Sequence, residues 1–258
     1  MFKFGINNIV GHRGCNELKY SNTIESFLKG IELGADMIEF DIRRTGDGVL
    51  IIHHDEDVFG NNIKDYEYKF LKSLAFEKGL QIPTVEETLV ILRGKTKLVV
   101  ELKEKGYEKE VVSKIEEYFN DDEFVVISFH GEIIRGIKEK YQNVTVGLLL
   151  GFEYSELKAM NPRINHIGLL TERYRELFPW KSVKNCKADF IAPHFDLLCL
   201  GLLKSAYKKN IPVFVWTVNN ERLIKKLIKG RLTSGIISDK PGLVKKFKNV
   251  IVNKNYIN

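Results

Sequence analysis

Eight short apolar or β-branched runs alternate with helix-like patterns along the whole chain, and this alternation limits the fold more than any other feature. The runs are Ile9 to Gly11, Met37 to Asp41, Leu98 to Leu102, Phe124 to Ser128, Val144 to Leu149, Phe190 to Pro193, Val213 to Thr217 and Gly235 to Ser238. Strands separated by helices are joined by crossovers and so lie parallel. Eight βα units in 258 residues fit an α/β fold of the (β/α)8 TIM-barrel kind better than an open sheet, although periodicity alone does not separate the two. A barrel of this kind occupies roughly 250 residues, so one domain over residues 1–258 is expected.

A ninth run, Val49 to His53, follows the second strand after only Thr45-Gly46-Asp47-Gly48. Four turn-forming residues leave no room for a crossover, so this run must return as an antiparallel hairpin. Pairing about Gly46 and Asp47 sets position 54 opposite 40 or 41, at the mouth of the second strand. A short insertion at about 55–81 follows. Two helix starts read as capping boxes, Asn22 with Glu25 and Thr84 with Glu87. Later helices are expected near Glu108 to Tyr118, Glu132 to Tyr141, Leu202 to Lys208, Glu221 to Ile228 and Leu243 to Lys248. The stretch Asn161 to Lys187 shows no barrel element and reads as a long loop or short excursion.

The longest run free of strongly polar residues, Val146 to Phe152, contains two glycines and falls far short of the roughly 20 residues that cross a bilayer. Residues 1–8 lack the apolar stretch of a secretory signal, so a cytoplasmic location and no stable membrane insertion are expected. Cys15, Cys186 and Cys199 show no metal or disulfide spacing and read as free, small apolar residues. A net charge of +6 admits an anionic partner, but the lysines are scattered without an arginine stripe or interleaved aromatics. A solvated surface explains them, and nucleic acid is not expected.

Polar residues gather where a barrel does its chemistry, at the C-terminal ends of strands. His12 and Arg13 follow the first strand, Glu39 and Asp41 fall on the second, Glu101 and Lys103 on the third, and Ser128 ends the fourth. Glu39 and Asp41 are two apart and share a strand face. Paired carboxylates repel unless a proton or cation lies between them. With Glu101 on the neighbouring strand they make an all-oxygen set suited to one divalent metal, Mg²⁺ or Ca²⁺. His12 and His54 bring imidazoles to the same mouth for acid and base work. Arg13 and Lys103 supply fixed positive charge where a phosphate would sit. Such a set suits phosphoryl transfer.

These residues resemble the glycerophosphodiester phosphodiesterases. The likeness runs through His12-Arg13-Gly14, Asn22-Thr23, Gly34-Ala35-Asp36, Glu39-Phe40-Asp41, Thr45-x-Asp47-Gly48 and His54-Asp55. It continues through Ile82-Pro83-Thr84, Glu101-Leu102-Lys103, Ser128-Phe129, Val215-Trp216-Thr217-Val218-Asn219 and Ser238-Asp239 with Pro241. The resemblance implies a (β/α)8 barrel that uses a divalent metal to hydrolyse glycerophosphodiesters to glycerol 3-phosphate and an alcohol. It implies His12 and His54 as the acid/base pair, Glu39, Asp41 and Glu101 as metal ligands, Arg13 and Lys103 near the phosphate, and Trp216 in the pocket wall, where it also serves barrel packing. His53 should face away, while His194 has both a structural and a mouth-facing reading. The chain departs from the family pattern at Tyr20-Ser21-Asn22-Thr23, where a glutamate is missing. It departs again at Phe59-Gly60-Asn61-Asn62, which replaces an Arg-Thr-Thr stretch, and in its short insertion. All three lie outside the metal and acid/base set and bear on head-group selectivity. The substrate is a small molecule, and a homo-oligomer is left open. A lysophospholipase-D-like enzyme and a catalytically silent phosphodiester-binding barrel are the rival readings.

Overall fold

A computed structural model of the chain describes residues 1–17, 21–151 and 173–254. Eight parallel strands form the sheet, in the order β10 (Phe214–Val215), β11 (Gly235–Ser238), β1 (Asn8–Gly11), β2 (Met37–Arg44), β6 (Lys97–Leu102), β7 (Phe124–Ser128), β8 (Thr145–Leu150) and β9 (Phe190–Pro193). Parallel bridges Ile191 to Val213 and His194 to Trp216 join the two ends and close the barrel. All eight expected strands are present. Among the described residues the helices include α1 (Ile24–Glu32), α2 (Tyr68–Glu77), α3 (Val85–Leu92), α4 (Glu108–Glu116), α5 (Gly131–Lys140), α6 (Trp180–Cys186), α7 (Leu202–Lys208), α8 (Glu221–Gly230) and α9 (Pro241–Lys254). Among the described residues no helix is long and apolar enough to cross a membrane.

Strand parity sorts the side chains. On β2, Ile38, Phe40 and Ile42 join the large cluster between barrel and helices, whereas Met37 joins the interior cluster. On β6, Leu98, Val100 and Leu102 face the helices and Val99 faces inward. The interior also holds Val10, Val125, Phe190, Phe214 and Ile237, and Phe2 and Phe4 pack against it. Gly147 and Gly235 make room for the two interior rings: a Cβ would lie 2.3 Å from Phe190 and 2.8 Å from Phe214. Those rings touch each other at 5.1 Å between centroids.

Strand β3 (Leu50–Ile52) returns antiparallel to β2, with Ile42 opposite Ile52 and Arg44 opposite Leu50. This is the expected hairpin in the expected register. Thr45 shapes its turn, accepting at Oγ1 from Val49 N and at its carbonyl from Gly48 N, with Gly48 at φ 87°. The insertion folds as a hairpin of β4 (Asp57–Val58) and β5 (Asn61–Asn62), a 3₁₀ turn over Ile63–Asp65, and α2. It packs Val58, Ile63, Leu71 and Ala75 against Ile51.

The structure corrects four expectations. Strand β2 does not end at Asp41 but continues to Arg44, because β3 supplies its outer part with a partner. The cap of α1 is Thr23, whose side chain accepts from Ser26 N; Asn22 sits at φ 57° and its side chain goes elsewhere. By contrast, Thr84 and Glu87 form the full capping box. Residues 180–186 of the expected loop form α6, whose Val183 and Cys186 are buried; residues 161–172, like Tyr20, lie outside the described residues. Cys15 and Cys186 are free and buried, but Cys199 is exposed.

Gly147→Ala drives a methyl group into the Phe190 ring, and overpacking of this kind costs about 1–3 kcal/mol. The variant should melt several degrees below wild type with the helical circular dichroism of the folded state unchanged. An unchanged melting temperature would show that the interior layer has slack.

Candidate active site at the barrel mouth

The inward parity that buries Met37 and Val99 near the floor carries Glu39, Asp41 and Arg43 of β2, and Glu101 of β6, towards the mouth. Asp41 and Glu101 are register partners. One cavity of about 760 Å³ opens there, lined by His12, Arg13, Glu39, Arg43, His54, Glu101, Lys103, Trp216 and Asp239, among others. Glu39, Asp41 and Glu101 are all buried, and one oxygen from each lies within 4.8 Å of the others. The expected carboxylate set therefore assembles.

Two cations answer it. Lys103 Nζ is 2.8 Å from Asp41 Oδ1 and 2.7 Å from Glu101 Oε1. Arg13 Nε is 3.2 Å from Asp41 Oδ2, and the Arg13 backbone N–H donates to Glu39 Oε2 at 2.8 Å. Arg13 adopts φ 51° and Gly14 φ 88°. At Gly14 a Cβ would lie 2.5 Å from the Ser26 backbone, so only glycine allows the loop to seat against α1 and turn the Arg13 amide onto Glu39.

Burial, then the Asp41 and Glu101 charges, push the Glu39 carboxyl well above the ordinary range. Burial acts on Asp41 in the same sense, but Lys103 and Arg13 outweigh it and hold that carboxyl well below the usual range. Glu101 is pushed up to about 7, chiefly by burial, with Lys103 opposing and Asp41 adding. With all three ionised, the carboxylates exceed the two cations by one negative charge, which a further cation would offset. Glu101 Oε1 is close to Lys103 Nζ but not aligned for a hydrogen bond, and as a buried oxygen it has no other partner among the described residues. An all-oxygen donor set with residual negative charge and an unsatisfied buried oxygen fits a hard divalent cation.

His12 stands between two strands of carboxylates. Its Nδ1 is 2.7 Å from Asp239 Oδ1 and its Nε2 is 4.0 Å from Glu39 Oε2. Burial lowers its pKa below 6.5, against the Asp239 hydrogen bond. His54 arrives on the hairpin, half-buried, with Nδ1 2.8 Å from Asp55 Oδ1. Burial and the nearby Lys103 and Arg13 charges lower it to about 4, Asp41 opposing. Both imidazoles thus carry a carboxylate at Nδ1, which leaves Nε2 as the ring nitrogen for chemistry. On the far wall Trp216 donates from Nε1 to Ala192 O and meets Phe129 and His194 edge-on at 5.7 and 5.0 Å.

His53 faces away, within reach of Asp57 O. His194 lines the cavity and its Nδ1 lies 3.3 Å from Asp196 Oδ2. Ser128 ends β7 as expected but does not line the cavity: its hydroxyl donates to Leu102 O. Sequence reasoning gave no role in the site to three residues that hold it. Asp239 orients His12 and is itself held by Asn219. Asn22 donates from Nδ2 to Asp41 Oδ2 at 2.7 Å. Arg43 shares the face of Glu39 and Asp41, and the i, i+2, i+4 spacing was the available signal.

Residues 12–243 match the model of the glycerophosphoryl diester phosphodiesterase family. The chain belongs to that family. It is therefore an enzyme, a phosphodiesterase. A glycerophosphodiester phosphodiesterase of Caldanaerobacter subterraneus subsp. tengcongensis is 28% identical over 251 residues, covering 90% of this chain and 94% of that protein. The crystal structure of a glycerophosphodiester phosphodiesterase from Thermotoga maritima superposes with a TM-score of 0.70 at 26% identity, over 94% of this chain and 99% of that one. An Oleispira antarctica phosphodiesterase, solved in complex with the product sn-glycerol-3-phosphate, shares the fold with a TM-score of 0.75 at 19% identity, over 95% and 97%.

The histidine environments are open to nuclear magnetic resonance titration. His54 should titrate near about 4, and Lys103→Met should move it upward by removing a cation. Asp239→Asn should move His12 further down, since the carboxylate favours the imidazolium. Midpoints left unchanged by both substitutions would contradict the assigned causes.

Proposed function

We propose that the chain hydrolyses glycerophosphodiesters to glycerol 3-phosphate and an alcohol, using one divalent cation and the two histidines at the mouth. The reading is carried by the meeting of three buried carboxylates, two cations and two carboxylate-backed imidazoles in one cavity. The product held by the Oleispira antarctica enzyme supports it. The setting is a single barrel domain with its insertion at 55–81, acting in the cytoplasm on a small soluble diester.

Glu39, Asp41 and Glu101 would hold the cation, Mg²⁺ or Ca²⁺. When bound, it supplies Lewis-acid polarisation of a phosphoryl oxygen. Arg13 and Lys103 add fixed charge against which the phosphodiester anion is drawn in, with no reorganisation needed as charge builds up. The two imidazoles share the proton transfers: one accepts the proton of the attacking hydroxyl or water, and the other donates to the leaving alcohol oxygen. Both rings are neutral in the free enzyme at pH 7, so either can accept a proton; the ring that donates takes up its proton from solvent as the phosphodiester anion binds, since a nearby anion favours the imidazolium. Trp216 and Phe129 offer apolar surface to the carbon skeleton.

Glycerol 3-phosphate release from glycerophosphocholine and glycerophosphoethanolamine should stop with EDTA and return with Mg²⁺ or Ca²⁺. Glu101→Gln should lower kcat/KM by about 10²-fold or more. Absence of release with any metal, or faster turnover of lysophosphatidylcholine, would move the assignment to lipid head groups.

His12→Ala and His54→Ala should each lose about 10²–10⁴-fold in kcat. With a nitrophenyl leaving group, which needs no proton, one variant should recover and the other should not. Recovery of both or neither would overturn the division of labour.

A further inference from the structure

Strand β3 ends at Ile52, so the backbone that carries His54 leaves the ladder just before the imidazole. Its last ladder-like bond is His53 N–H to Asp41 O at 3.1 Å. Beyond it, His54, Asp55 and Glu56 lie half-buried or exposed. A catalytic side chain on such a segment needs another anchor, because an error of about 1 Å in placing a reacting group can cost about 10²-fold in rate.

Arg43 is that anchor. It is buried at the mouth, on the same face of β2 as Glu39 and Asp41, and its Nε donates to the His54 carbonyl at 2.8 Å. One of its terminal nitrogens makes an ion pair with Glu104 at the end of β6. Glu104 in turn lies 3.6 Å from Lys64 Nζ of the insertion, and its backbone N–H donates to the Tyr107 hydroxyl, which itself donates to Ile42 O. The guanidinium is therefore held by one arm while the other fixes the His54 backbone. Four pieces of chain meet there: β2, the hairpin return, the loop after β6, and the insertion.

We infer that Arg43 is a positioning residue that acts on the reaction through His54, by fixing the backbone from which that imidazole projects. The inference rests on the proposed role of His54 and adds to it the group that holds it in place. A fixed guanidinium suits the task because its planar fork spans two acceptors in one geometry, which an ammonium does not.

The chemistry of the side chain separates positioning from charge. Glutamine places its amide nitrogen at the chain position of Arg43 Nε, so Arg43→Gln retains the donor to His54 O while losing the charge. Arg43→Lys retains the charge but has carbon at that position, and Arg43→Met has neither. Positioning requires kcat to rank wild type, then Gln, then Lys and Met together, with Met lower by about 10²-fold and KM little changed. A ranking with Lys above Gln would mean that Arg43 acts by its charge, and would overturn the inference.

A double-mutant cycle supplies the second measurement. In the His54→Ala background Arg43→Met should cost nothing further in kcat, since its only route is already gone. Full additivity would overturn the inference. Thermal melts of each variant report whether a loss reflects unfolding, and Glu104→Gln, which keeps the His54 bond in place, controls for the clasp itself. If His54→Ala is as active as wild type, the proposed role of His54 fails. If His54→Ala is inactive and Arg43→Met is not, only the present inference fails.

Discussion

Three carboxylates held within 4.8 Å of one another, out of water, set the terms for the rest of the mouth. Such an array is unstable alone, since each charge opposes the others and burial penalises all three. The chain answers with Lys103 on Asp41 and Glu101 and with the Arg13 guanidinium on Asp41, so that Asp41 stays ionised while burial pushes Glu39 and Glu101 towards protonation. Breaking a buried pair by removing one partner costs about 3–5 kcal/mol, so these cations act on stability and on function together. Burial, helped by the same two charges, keeps His54 neutral. On the proposed mechanism, one electrostatic arrangement would thus serve the cation site, the phosphate site and a proton acceptor.

Barrel geometry makes this arrangement affordable in packing terms by separating it from the core along the strand axis. Met37 and Val99 sit inward on the same strands that, two to four residues later, present Glu39, Asp41 and Glu101. Aromatic rings fill the floor against Gly147 and Gly235. A shift of one residue in β2 would exchange Ile38, Phe40 and Ile42 for the acids and destroy both ends at once. The register is fixed by six paired residues between β2 and β6.

Much of this was legible in the sequence because strands alternate strictly. The E-x-D spacing, the hairpin forced by Thr45 to Gly48 and the eight apolar runs are local patterns with one physical meaning each. What escaped were residues whose role lies in a distant partner. Asp239 meets His12 across 227 residues, and its place just after the eighth strand does not name that partner. Asn22 looked like a cap, yet the left-handed backbone at that position hands the cap to Thr23 and sends the amide to Asp41. Helix α6 was missed because its buried Val183 and Cys186 form a single i, i+3 pair within two turns, which makes no repeating stripe.

The hairpin gives the mouth a feature that the eight barrel strands lack. Each barrel strand contributes its polar groups at its own end, but His54 comes from a segment that has already left the sheet. Its ring therefore depends on side chains for position, whereas Glu39 and Asp41 sit within the ladder between β2 and β6. Arg43 to His54 O, and Glu104 and Lys64 behind it, supply from three separate segments what a neighbouring strand would otherwise give. The insertion earns its place by the same logic: its small core closes on Ile51 and carries Lys64 to the clasp. A change in the insertion can therefore reach the reaction through backbone geometry without touching any group that meets the substrate.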